Sequence, residues 1–161
     1  MNPKEQKNIA LALGSNLGDR SDNIAFALEQ LALHGLSNIL CAKCLESEPV
    51  DCPENAGVYI NTALIGQWSG SALELLDCAL KIEKLAGRER SGVINEAREL
   101  DIDILLFEDQ AYNYPQLTVP HPRMHLRPFV IDPLSEIAPL WIVPTVHKTV
   151  RQISQELNEN A

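Results

Sequence analysis

Arg98-Glu99-Leu100-Asp101-Ile102-Asp103-Ile104-Leu105-Leu106 is the stretch whose reading decides the fold. It is short, rich in isoleucine and leucine, and followed by the polar run Glu108-Asp109-Gln110, which predicts a buried β-strand. Side chains alternate along a strand. Leu100, Ile102, Ile104 and Leu106 are therefore expected on one face, and Asp101 and Asp103 on the other, with Leu105 and Phe107 further along. Two carboxylates so placed stand roughly 6.5–7 Å apart at Cα. Their oxygens can converge on one metal ion, or on two ions roughly 3.5–4 Å apart. Without a cation the pair is costly, because like charges on one face repel and burial adds a desolvation penalty. A short acidic pair by itself reads first as a hydrated strand end. The apolar run around this one makes it a core strand rather than an edge. Oxygen-only ligands suit Mg²⁺, which takes one or two protein carboxylates, waters and substrate phosphates.

Working back from this strand, Gly87 to Ala97 carries charges and glycines without a clear period and reads as a mobile loop. Ser71-Ala72-Leu73-Glu74 is a capping-box pattern. The helix it starts is expected to turn Leu73, Leu76, Leu80 and Ile82 inward and to stop near Gly87. Val58 to Trp68 reads as the hairpin partner of a long strand within Ser37 to Val50, across the loop Asp51 to Gly57. Asp22 to His34 is a helix with Ile24, Ala27, Leu28 and Leu31 at helical spacing, capped by Ser21 or Asp22 and ended by Gly35. Asn8 to Leu13 is a strand that ends at a small-residue turn beginning with Gly14-Ser15-Asn16.

Beyond the central strand, Leu117 to Arg123 is stiffened by Pro120 and Pro122. Asp132-Pro133 suggests the cap and first turn of a short helix to Ala138. Thr149 to Asn158 is a last helix with Val150, Ile153 and Leu157 on one face. The order is βαββαβ followed by helical segments. The expected class is α+β: a ferredoxin-like core, with an antiparallel sheet and two helices on one face, plus a C-terminal helical extension. No linker divides residues 1–161, so a single domain is expected, with residues 1–7 as a flexible tail.

The chain has 161 residues, 45% hydrophobic and 22% charged, ordinary values for a soluble globular protein. No apolar run approaches the roughly 20 residues that span a bilayer, and the first residues lack a secretory apolar segment. A cytoplasmic location is expected, with no membrane partner. The net charge of −9 disfavours nucleic acid as a partner. A small anionic substrate remains compatible, because Arg88, Arg90, Arg98, Arg123 and Arg127 cluster in the later part of the chain. Cys41-x-x-Cys44 invites a zinc reading, but Cys52 and Cys78 do not repeat the spacing, and ordinary reduced thiols are expected.

Tyr59 and Asn61 are two apart and share a strand face. A ring to stack and an amide to pair suit a flat heterocycle; a half-buried hairpin tyrosine beside a surface asparagine explains them as well. His121 and His125 are separated by Pro122, which breaks any helix that would align them as a zinc pair. His121 beside Arg123 and Arg127 suits phosphate, although arginines also simply coat an acidic surface. Trp68 and Trp141 sit in apolar settings and are expected in the core.

The motifs together form a recognisable set. It comprises Ala12-Leu13-Gly14-Ser15-Asn16-Leu17-Gly18, Ser47-Glu48-Pro49-Val50, Tyr59-Ile60-Asn61, Glu83, Gly87-Arg88 and Arg98 to Leu105. Thr118-Val119-Pro120-His121-Pro122-Arg123-Met124, Arg127-Pro128-Phe129, Pro133-Leu134 and Glu136-Ile137-Ala138-Pro139 complete it. In this order, over about residues 8–155, the chain resembles the 6-hydroxymethyl-7,8-dihydropterin pyrophosphokinases of folate biosynthesis.

The resemblance implies transfer of the β,γ-pyrophosphoryl group of ATP, the co-substrate, to the hydroxymethyl oxygen of the pterin, with release of AMP. It implies that Asp101 and Asp103 hold two Mg²⁺ ions. Arg88, Arg98, His121 and Arg127 match phosphate-contacting positions, with Arg90 beside them in the loop. Glu83 matches a polar ATP-site position, and Ile104 and Thr118 would meet adenine through backbone groups. Tyr59 and Phe129 would sandwich the pterin, Asn61 would bond its edge, and Gly14, Ser47, Val50 and Asp101 would complete its site. ATP and the pterin are then the partners, and a monomer is expected. Two departures stand out. Asn95-Glu96-Ala97 replaces the Trp-Gly-Pro that some members carry before the loop arginine, and Pro122 replaces an occasional tyrosine. The altered loop leaves a non-catalytic pterin- or nucleotide-binding protein as the rival reading.

Overall fold

The computed structural model describes residues 5–15, 20–43, 45–47, 59–88 and 100–159. Strand β1 (Lys7–Ser15) leads into helix α1 (Arg20–Leu33). Strands β2 (Ser37–Cys41), β3 (Leu45–Ser47) and β4 (Tyr59–Trp68) follow, then helix α2 (Ala72–Arg88) and strand β5 (Asp101–Phe107). The remainder comprises the short strands β6 (Tyr112–Tyr114) and β7 (Leu117–Val119), a 3₁₀ turn at Met124–Leu126, helix α3 (Pro128–Ile137), the two-residue strands β8 (Ile142–Val143) and β9 (Lys148–Thr149), and helix α4 (Val150–Glu159).

The main sheet runs β2-β4-β1-β5, with β3 also on β4, and its pairs are antiparallel. With β2 and β3 counted as one broken strand, this is the ferredoxin-like order. The long strand expected over Ser37 to Val50 is split. At the break the Ala42 N–H donates to the Ala63 carbonyl (2.8 Å), and the Thr62 hydroxyl donates to the Ala42 carbonyl (2.8 Å). Gly14 and Ser15 do not turn the chain: both lie in β1 and are paired with β4.

Local signals set the helix ends. Gly35, at φ +109°, closes α1, with the Leu36 N–H reaching back to the Leu31 carbonyl (3.0 Å). Ser71 and Glu74 form the expected capping box: the Glu74 N–H donates to Ser71 Oγ (3.1 Å) and the Ser71 N–H to Glu74 Oε1 (2.9 Å). Thr149 and Gln152 repeat the device at the start of α4. Helix α3 begins at Pro128, with Pro133 inside it, rather than at Asp132-Pro133.

One sheet face is covered by α1 and α2 over Ile9, Leu11, Leu13, Leu64, Ile102 and Ile104. From α1, Ile24, Ala27 and Leu31 point in as expected. From α2, the inward residues are Ala72, Leu75, Ala79 and Ile82, while Leu73 and Leu76 are only partly buried and Leu80 is 53% exposed. The α2 face is thus turned from the expected stripe; only Ile82 holds its place. Trp68 lies in this cluster. The C-terminal segments cover the opposite face, where Met124, Val130, Ile131 and Leu134 meet Ala10, Ala63, Leu105 and Leu106.

A register shift explains how β5 serves both clusters. Ala10 opposes Leu106 but Leu11 opposes Ile104, so Leu105 is an extra, bulged residue. Beyond it the faces exchange: Leu106 joins Leu105 on the C-terminal side, and Phe107 joins Ile104 on the helix side. Strict alternation predicts the reverse for Leu106 and Phe107. Strand β5 is also terminal in the strand order rather than interior. Its apolar composition reflects coverage of both faces, which carries no information about its edge.

Candidate active site

The sheet register assembles the centre of the site. Asn61 on β4 opposes Gly14 on β1, and Gly14 opposes Asp101 on β5. These three form one cross-strand row, with Asn61 and Asp101 two strand spacings, roughly 10 Å, apart. The adjacent same-face row is Ala63, Ala12 and Asp103. Opposed residues share a face, so both aspartates lie on the face that α3 and α4 cover further along. Asp103 is exposed and Asp101 half-buried. Asn61 is only 7% exposed, so it is no surface asparagine.

Two tethers hold the outer edge of β5. Glu83, on α2, accepts the Ile102 N–H at Oε2 (2.9 Å), between the two aspartates. The His121 N–H donates to the carbonyl of the bulged Leu105 (3.1 Å). Backbone groups two residues apart on a strand point the same way, so the Ile104 peptide is directed to the outer edge like that of Ile102. The Ile104 side chain is buried on the opposite face from the aspartates. The unpredicted β6–β7 hairpin packs beside β5 and carries Thr118, exposed, with its hydroxyl 3.4 Å from Asn113 Oδ1.

His121 stands where the charges meet. Burial pushes its imidazole below the ordinary histidine value; the Asp103 carboxylate opposes this, and the Arg127 and Arg123 guanidiniums add to it. Its Nδ1 accepts the Arg123 N–H (3.2 Å). A neutral imidazole so engaged carries its proton on Nε2, which makes that nitrogen a donor. Arg127 is the N-cap residue of α3, extended ahead of Pro128, and its guanidinium carbon lies 5.7 Å from the Phe129 ring centroid. Phe129 is 37% exposed, an aromatic surface open to stacking.

The structure therefore brings Gly14, Asn61, Asp101 and Asp103 together on one sheet face, and sets His121 and Arg127 within electrostatic reach of one another, with Asp103 acting on His121. Ser47 and Tyr59 are a backbone pair between β3 and β4, and Arg88 is the last residue of α2. Arg90, Arg98, Val50, Asn95-Glu96-Ala97 and Cys44 lie outside the described residues. The tethers on β5 had no local sequence signal, because both join segments distant in the chain.

Among the described residues, no group of three or more His, Cys, Asp and Glu side chains is arranged to hold a metal ion. The donor set at β5 is two carboxylates, which fits a Mg²⁺ ion completed by water and phosphate oxygens rather than a protein-only cage.

Paired carboxylates beside a histidine and an arginine define a class of site suited to polyphosphate chemistry. Residues 10–139 match the model of the 7,8-dihydro-6-hydroxymethylpterin-pyrophosphokinase family. The chain is 35% identical over 157 residues to 2-amino-4-hydroxy-6-hydroxymethyldihydropteridine pyrophosphokinase of Synechocystis, covering 97% of this chain and 79% of that one. It is 39% identical over 132 residues to the protein of the same name from Bacillus subtilis, covering 81% and 78%. The fold matches a Plasmodium falciparum HPPK-DHPS crystal structure with pterin and p-hydroxybenzoate at TM-score 0.77 and 15% identity, over 99% of this chain and 44% of that one. The chain belongs to the 7,8-dihydro-6-hydroxymethylpterin-pyrophosphokinase family. Among the described residues no helix is long and apolar enough to cross a membrane.

Proposed function

We propose that this chain moves the pyrophosphoryl group of ATP to the hydroxymethyl group of 6-hydroxymethyl-7,8-dihydropterin in folate biosynthesis, using the Gly14–Asp103 end of the β1–β4–β5 face. The observation that carries this reading is the Asn61–Gly14–Asp101 row, with Asp103 one same-face row away. It supports the reading because an amide suited to pair with a heterocycle and two carboxylates suited to a metal share one sheet face in a chain of this family. The hydroxymethyl oxygen attacks the β-phosphorus, its hydroxyl proton is released to solvent, the bond from that phosphorus to the α,β-bridging oxygen breaks, and AMP leaves with that oxygen.

Asp101 and Asp103 would hold two Mg²⁺ ions, which when bound supply charge neutralisation along the triphosphate. Arg88, Arg90, Arg98, His121 and Arg127 are assigned to the phosphates, with His121 donating from Nε2. Ile104 and Thr118 are assigned to adenine, Ile104 through its outward peptide. Glu83 is assigned to the ATP side of β5. Phe129 and Tyr59 flank the pterin, Asn61 pairs with its edge, and Gly14, Ser47, Val50 and Asp101 complete its surroundings. No covalent intermediate is required: the residues position two substrates and stabilise charge. The reading treats residues 1–161 as one domain acting as a monomer in the cytoplasm.

The test is a product assay. Protein, Mg²⁺-ATP and 6-hydroxymethyl-7,8-dihydropterin are mixed, and AMP and ADP are followed separately. Pterin-dependent AMP is the expected result. ADP in its place contradicts pyrophosphoryl transfer. Neither product, with both ligands bound, contradicts catalysis and leaves a binding protein.

A further inference from the structure

Strand β5 carries both aspartates, yet it is terminal in the strand order. On its inner side the register with β1 fixes Asp101 against Gly14 and Asp103 against Ala12. On its outer side the Ile102 N–H points away from that ladder, and Glu83 Oε2 accepts it at 2.9 Å. Ile102 is 5% exposed and Glu83 half-buried. The amide engaged is the one between Asp101 and Ile102. A peptide unit is planar from one Cα to the next, so fixing that N–H fixes the plane that starts at the Asp101 Cα. Asp103 follows one residue after Ile102.

We propose that Glu83 is a positioning residue for the aspartate pair: its carboxylate ties α2 to β5 and sets the spacing and direction from which Asp101 and Asp103 meet a divalent cation. The inference rests on the pyrophosphokinase reading and deepens it, because it gives Glu83 a role through the strand rather than through the nucleotide. Outer contacts that orient metal-binding groups change metal affinity by about 10–100-fold when removed.

Two conservative variants separate the possibilities. Glu83→Gln keeps an oxygen at the same reach and loses the charge. Glu83→Asp keeps the charge and draws the oxygen back by one methylene. Mn²⁺ affinity is measured by electron paramagnetic resonance with a non-transferable ATP analogue present, and exchange of the Ile102 amide is followed by NMR in matched samples that carry diamagnetic Mg²⁺ instead. Positioning predicts that Glu83→Gln, which keeps an acceptor at the same reach, departs less from wild type than Glu83→Asp in both readouts. It predicts that Glu83→Asp exchanges the Ile102 amide faster and binds Mn²⁺ about tenfold more weakly. The reverse order, with Glu83→Gln deficient, Glu83→Asp normal and Ile102 exchange unchanged, overturns the proposal in favour of a direct charge contact. Wild-type affinity in both variants also overturns it. Wild-type protein that forms no AMP and binds no Mn²⁺ with the analogue refutes the underlying reading instead, and with it any role in positioning.

Discussion

The two faces of the sheet put the same strands to different uses. On the α1–α2 side, Ile9, Leu11 and Leu13 of β1 run unbroken from end to end, matched by Leu64, Ile102 and Ile104 on the neighbouring strands. On the other side the coverage is divided. Ala10, Ala63, Leu105 and Leu106 lie under the C-terminal helices, while Gly14, Asn61, Asp101 and Asp103 occupy the opposite end. The bulge at Leu105 falls at this division. It gives the C-terminal helices two consecutive leucines to pack on. On the proposed function, one face holds the molecule together and the Gly14–Asp103 end of the other serves ligands, so stability and activity should separate under mutation.

The sharpest way to break that division is Asp103→Ala. The residue is exposed, so the unfolding midpoint should hold, while turnover, followed as AMP release, falls on the order of 10³-fold. A comparable loss of thermal stability would place Asp103 in the fold instead. Ile82→Ala should do the opposite. It removes a fully buried side chain from the α1–α2 face, costing about 2–5 kcal/mol in denaturant unfolding, with turnover per folded molecule unchanged. Leu80→Ala, on the exposed side of α2, should move stability by no more than about 0.5 kcal/mol. If Leu80 proved the costlier of the two, the orientation of α2 would be wrong.

Phe129→Ala tests the proposed ligand end more finely. Loss of an exposed stacking ring should weaken pterin binding about tenfold by calorimetry, with little change for an ATP analogue. The smallest effect concerns His121. Burial holds its neutral form, so in the free protein its NMR titration midpoint should lie below the ordinary value of 6.5. As pH falls from that value through the folded midpoint, the unfolded chain takes up the proton first, and stability declines over that window. Polyphosphate should move the midpoint up. An upward shift in the free protein would mean that Asp103 outweighs burial.

The strand carrying the aspartates, the capping box at Ser71 and the α1 stripe were legible in the sequence because each is written in nearby residues. The family was legible because its motifs recur in order along the chain. What escaped depended on partners far away in the chain. The alternation of β5 is readable, but the extra residue at Leu105 exists only against β1. Helix α2 is apolar on two offset stripes, Leu73-Leu76-Leu80 and Ala72-Leu75-Ala79-Ile82, and only packing selects the second. Strands β6 and β7 are three residues each, too short for a period to register. Pro133 resembles the start of a helix locally, yet α3 already begins at Pro128. At the site, Asp101 and Asp103 were visible as a pair, but the row joining them to Gly14 and Asn61 required the register of three strands.

The most direct measurement is amide chemical-shift mapping with an ATP analogue, Mg²⁺ and the pterin. The account predicts that the largest changes fall on Gly14, Asn61, Asp101, Ile102 and Asp103, with Leu31, Leu75 and Ile82 undisturbed. Changes centred on the α1–α2 face, or absent from the Asn61–Gly14–Asp101 row, would contradict it.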